Sequence, residues 1–206
     1  MEWGAWALAL VLLGWGLPRL LGVIYSDAIL SLTYAGLTIL FAAPAVVDRV
    51  FADRGRSLTS SHLWRHIAAG TAFGLASFVL LMIIVDVMMR WRTGGQLHYD
   101  YLANARLFPL AAACSAFGSG LAAAVTVKAQ SLKQARLALR FAFLLALLLS
   151  VYGLRRLSDD TRFALLTMAQ AGAEWQTFLL AAGGLLALGI ALSFFASRDD
   201  RYHFND

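Results

Sequence analysis

Residues 66–92 read HIAAGTAFGLASFVLLMIIVDVMMRWR. Between His66 and Arg90 lie 23 residues, and Asp86 is the only charged one. At ~1.5 Å of rise per residue, such a helix crosses a ~30 Å hydrocarbon layer. Trp64 and Trp91 stand at its two ends, where an amphipathic indole prefers the headgroup zone. The stretch therefore reads as a transmembrane helix, and it sets the class of the chain: an all-α integral membrane protein.

Working outward, five more apolar segments give spans at about 4–24, 28–47, 66–89, 107–127, 137–154 and 175–196, a single polytopic domain over 1–206. Composition agrees: 60% of the 206 residues are hydrophobic, 14% are charged, and mean hydropathy is +0.69. A soluble domain of this length carries far more polar surface. The opening MEWGAWALALVLLGWG has Glu2 as its only charge and lacks the basic start of a signal peptide, so it reads as an uncleaved first helix. Only Tyr25-Ser26-Asp27 joins the first two spans, which predicts a tight antiparallel hairpin.

The net charge of +5 comes from basic residues in short runs between apolar segments, the distribution of membrane topology rather than of nucleic-acid binding. With six spans, one side holds Arg49, Arg54, Arg56, Arg65, Lys128, Lys133, Arg136, Arg140, Arg198 and Arg201, ten in all. The other holds seven: Arg19, Arg90, Arg92, Arg106, Arg155, Arg156 and Arg162. The excess places both termini in the cytoplasm of a bacterial cell, with the chain in its cytoplasmic membrane.

Small residues mark expected close helix approaches: Gly70 and Gly74, the stripe Ala112, Ala116, Gly120 and Ala124, and the pair Gly183 and Ala187. They put the third and fourth spans at the bundle centre, and the Leu-rich fifth (FAFLLALLLS) at the lipid-facing edge. The segment 155–174 reads as a short outer interfacial helix. Ser31, Tyr34 and Thr38 line one face of the second span, with Thr71 and Ser77 on the third. They suit interhelical hydrogen bonds or a polar path.

Asp86 lies one turn before Arg90, which reads first as an interfacial i,i+4 pair. With Arg19, Asp27, Arg90, Arg106, Arg155, Arg156 and Glu174 it also outlines a ledge at one membrane face, suited to an anionic headgroup or substrate. His62 and His66 share a helix face at metal-like spacing but lack a third ligand nearby. No span carries an internal histidine for haem, and neither a metal nor another cofactor is expected.

Enzyme signatures fail on inspection. Phe117-Gly118-Ser119-Gly120 has Phe where an intramembrane serine protease has Gly, and the sixth span offers no histidine as base. Asp48 and Asp53 lack the surrounding pattern of CDP-alcohol phosphotransferases, no HExxH or P-loop occurs, and the lone Cys114 excludes a dithiol relay. The reading leans away from an enzyme.

The plan itself resembles the permease subunit of ABC-2-type exporters: six spans, inner termini, a helix-bearing loop between spans two and three, and an outer helix between five and six. The resemblance is one of architecture over the whole chain. It implies that Asp48 to Arg65 includes a coupling helix for an ATPase partner, docking through Arg49, Arg54, Arg56 and Arg65. Where the family often has a glutamate, this chain reads Gly55-Arg56-Ser57-Leu58-Thr59. Three functional readings follow. The leading one is a transport-associated, permease-like membrane subunit working with an energy-supplying or other protein partner. The alternatives are a structural or assembly subunit of a larger membrane complex, and a lipid-handling enzyme using the outer Arg/Asp ledge. Membrane lipids are partners in all three.

Overall fold

The computed structural model describes residues 3–16, 27–53, 60–96, 98, 107–156, 158–160 and 175–198. Helix α1 (Trp3–Val11) runs into a π-helical turn, Leu12–Gly16. Then follow α2 (Asp27–Ala52), α3 (Ser60–Arg92), α4 (Phe108–Lys128), α5 (Leu132–Arg156) and α6 (Trp175–Ser197). No strand occurs among the described residues. Four stretches are long and apolar enough to cross a membrane: Thr33–Ala52, Ser61–Arg92, Phe108–Lys128 and Leu179–Ser197. Trp6–Gly16 is a shorter apolar helix. On α3, Trp64 and Trp91 lie about 40 Å apart by helical rise, a match to the ~40–45 Å thickness of a bilayer with its headgroups.

The centre of the bundle is α4. Its sequence, FPLAAACSAFGSGLAAAVTVK, is apolar or small on every side, so it has no polar face to give to water and buries itself. Pro109 sits in its first turn, where the missing N–H costs nothing. Around α4 pack α6, α2 and α3, with α5 touching it more lightly. Two apolar clusters stack along the bundle. One, toward the Asp86 end, is bulky (Tyr34, Phe78, Leu81, Met88). The other, toward Lys128, is leaner (Val46, Val50, Leu63, Ala122, Val127).

The peripheral helices follow from their sequence too. Ser131 precedes α5, and its Oγ accepts from the Gln134 N–H at 3.2 Å, while Gln134 Oε1 accepts from the Gln130 N–H at 2.8 Å. This reciprocal cap starts α5 immediately after the α4 turn. Ala135 and Leu139 are buried, but Phe141, Leu144, Leu148 and Tyr152 beyond them are exposed. Helix α6 likewise buries a single edge, Ala182, Gly189, Ser193 and Ala196, and leaves Leu180 and Phe195 more than 70% exposed. Such broad apolar faces suit lipid rather than water.

Candidate functional site

At the end of the bundle where α2, α4 and α6 finish, the sequence places several charges just outside apolar helix. His66 Nε2 on α3 lies 3.1 Å from Asp53 Oδ2, one residue past α2. The approach sets the end of α2 beside the start of α3. Arg49 and Arg65 flank that corner and are exposed. Across the same end, Arg136 of α5 donates to Asp48 Oδ1 of α2 from Nη2 at 2.7 Å and from Nε at 3.2 Å. Arg54 and Arg56, the other expected docking residues, lie outside the described residues. Neither carboxylate contact was expected from the sequence. The available signal was that Asp48 and Asp53 are the only acids between residues 48 and 65, so each had cations from neighbouring helices within reach.

His62 and His66 do not act as a pair: His66 turns to Asp53, while His62 is exposed. No three metal-ligating side chains come together among the described residues.

At the opposite end, Arg90 Nε donates to Asp86 Oδ2 at 3.0 Å. Asp86 is 7% exposed whereas the Arg90 side chain reaches outward, 57% exposed. The carboxylate is thus seated beneath the helix surface and its cation extends toward the interface. Of the other ledge residues, Arg156 is exposed and stacks its guanidinium on Tyr152, whose hydroxyl it also contacts at 2.7 Å. Asp27 and Arg155 belong to α2 and α5, but their side chains fall outside the described residues, as do Arg19, Arg106 and Glu174 entirely.

Between the two apolar clusters lies a waist built of small and hydroxyl residues. A Cβ on Gly70 would fall on the Val46 side chain, and one on Gly74 would come within 2.5 Å of Ser115 Oγ and 3.0 Å of Ala42 Cβ. On the other side of α4, a Cβ on Gly120 would strike the Gly189 carbonyl oxygen. Around Gly189, Ala116 supplies contacting backbone, and Ala124 lies farther along the stripe against a groove beside α6. Ala112 is half-buried. In α6 the close-approach residue is therefore Gly189, and nothing lies within 4 Å of a Cβ on Gly183.

The hydroxyls at the waist bond mostly to backbone. Thr38 Oγ1 donates to Ala35 O at 2.6 Å and lies 3.3 Å from Ala111 O on α4. Ser193 donates to Gly189 O at 2.7 Å. Thr71 and Ser119 meet across α3 and α4 at 3.3 Å. Ser115 Oγ, fully buried, has no hydrogen-bond partner among the described residues. Two further ties hold α1: Trp6 Nε1 donates to Ser77 Oγ at 3.0 Å, and Tyr34 Oη donates to Leu13 O of the π turn at 3.0 Å. Trp6 also packs its ring on Phe73 of α3, the centroids 5.2 Å apart.

Comparison with protein-family models, curated proteins and solved structures gave no match. The likeness in plan to ABC-2-type permeases therefore has no family match behind it, and functional argument rests on the chain's own geometry. Chemically, that geometry offers a basic end where α2 meets α3, a seated Asp86–Arg90 pair, and a tightly packed waist.

Proposed function

We propose that this chain is a transport-associated, permease-like membrane subunit that works with a protein partner docked at its basic end. In this reading six helices cross the bacterial cytoplasmic membrane and both termini face the cytoplasm. The observation that carries it is the α2–α3 corner. His66 and Asp53 bring the end of α2 beside the start of α3, and Arg49 and Arg65 on either side are exposed. A positively charged helix end suits an acidic surface, because complementary charge speeds encounter and fixes register.

The test is purification from the native membrane in mild detergent. The reading expects a co-purifying ATP-hydrolysing protein that is released by Arg49→Glu with Arg65→Glu. If no ATPase is retained, and charge reversal here and at Arg54 and Arg56 changes nothing, the reading is wrong.

A structural or assembly role is the second reading, supported by the waist. Most of its hydroxyls are bonded to helix backbone, and its glycines are in contact with neighbouring helices. That arrangement suits a static scaffold. It expects normal substrate flux in a purified complex that lacks this chain but is held together by cross-linking.

A further inference from the structure

Two grooves flank the last turns of α4 and share Ala124 and Lys128 as their common ridge. The first, about 460 Å³, runs between α4 and α6, walled by Leu192, Phe195 and Ala196 and ending at Arg198. The second, about 380 Å³, runs between α4 and α5 and reaches Gln134 and Ala138. The capped turn at Ser131 fixes the position of α5 beside Lys128.

Charge and apolar surface are segregated in this double groove. Its walls are aliphatic and aromatic, and its two charged residues are cations at one end. No carboxylate lines either groove among the described residues. Arg136 nearby is matched by Asp48, but Lys128 and Arg198 have no ion-pair partner among the described residues. Arg198 instead rests its guanidinium 4.1 Å from the centre of the Phe194 ring. Asp199 and Asp200, which follow in sequence, lie outside the described residues. Because α4 and the Leu179–Ser197 stretch are each long enough to cross a membrane, Lys128 and Arg198 fall at headgroup level and the grooves open beside the acyl layer.

We propose that this double groove binds one anionic diacyl phospholipid, an acyl chain on each side of Lys128 and the phosphate held by Lys128 and Arg198. A basic pocket between helices at a membrane face suits an anionic headgroup. A zwitterionic lipid would bring its own ammonium up to the two cations, so the site discriminates in favour of headgroups without one. The site is separate from the α2–α3 corner and does not depend on the transport reading.

The experiment is native mass spectrometry of the detergent-purified full chain. It is offered phosphatidylglycerol and phosphatidylcholine of matched chain length at equal concentration. The wild type should retain one phosphatidylglycerol in preference to phosphatidylcholine. Lys128→Gln and Arg198→Gln should each reduce that preference about fivefold, corresponding to ~1 kcal/mol per basic residue at an anionic surface. Lys133→Gln, on an exposed residue lining neither groove, should leave it unchanged. Ala124→Leu fills the shared ridge and should lower retention of both lipids with the charges intact. Size-exclusion elution and thermal melting establish that each variant is folded. Equal retention of the two lipids by the wild type overturns the proposal. So does a folded double variant that keeps the wild-type preference, or displacement of the lipid by a co-purifying protein bound to the same grooves.

Discussion

Gly120 and Gly189 meet backbone to backbone: a Cβ on Gly120 would fall on the Gly189 carbonyl oxygen, and a Cβ on Gly189 would come within 2.8 Å of Phe117 Cα. This contact packs the backbone of α6 directly onto that of α4. Gly120→Leu and Gly189→Leu should each destabilise the chain by at least the ~1–3 kcal/mol of an overpacked core, read as a lower melting temperature in mild detergent. Gly183→Leu, in open space, should shift the melt very little. Equal tolerance at all three positions would remove the α4–α6 contact from this account.

Ser115 permits an opposite prediction. Its hydroxyl is buried against Gly74 with no partner among the described residues, and an unsatisfied polar group of this kind is a net cost. Ser115→Ala should therefore be neutral or raise stability by up to ~1 kcal/mol. A clear loss of stability on the same assay would mean that the hydroxyl has a ligand.

The attachment of α1 rests on two hydrogen bonds of known donor. Trp6→Phe keeps a ring against Phe73 but loses the bond to Ser77, and Tyr34→Phe loses the bond to the Leu13 carbonyl. Each change should cost ~1 kcal/mol. Tyr34→Phe should also raise protease cleavage near Leu12–Gly16, because that bond ties the π turn to α2. Unchanged cleavage would argue that Gly14, seated on Ile84, suffices.

Asp48 and Arg136 offer a double-mutant cycle. The Arg136 side chain is 48% exposed and that of Asp48 17%, so screening limits the pair. Asp48→Asn and Arg136→Gln should show a coupling of about 0.5–1 kcal/mol that shrinks as salt is added. Additive losses would show that the contact contributes nothing.

The membrane class and the helical content were legible because long apolar runs have few other uses. Their polar continuations were harder to see. Helix α2 runs on to Ala52 and α5 starts at Leu132, past windows drawn at 47 and 137, because a helix turn outside the apolar layer is held by caps and ion pairs such as Ser131–Gln134 and Asp48–Arg136. The choice of Gly183 and Ala187 over Gly189 has a different cause. Spacing of small residues gives a face, but which face meets a neighbour depends on the rotation of both helices. Asp86 and Arg90 were legible as a pair because the i,i+4 contact is local, whereas burial of the carboxylate is decided by helices distant in sequence. The basic corner could be seen as charge, but the approach of His66 to Asp53 depends on how closely α2 and α3 converge.

The central place of α4 also bears on how the chain is made. Chains emerge from the ribosome N-terminal end first, so α2 and α3 reach the bilayer before the helix they surround. Their own contacts, Val46 on Gly70 and Ala42 on Gly74, let them meet as a hairpin in the meantime, as independently stable helices do in lipid. A nascent chain halted before Leu107 thus carries an open seam along Thr38 and Thr71, which α4 covers. Only when α6 follows, bringing Gly189 to Gly120, is the far side of α4 shielded as well.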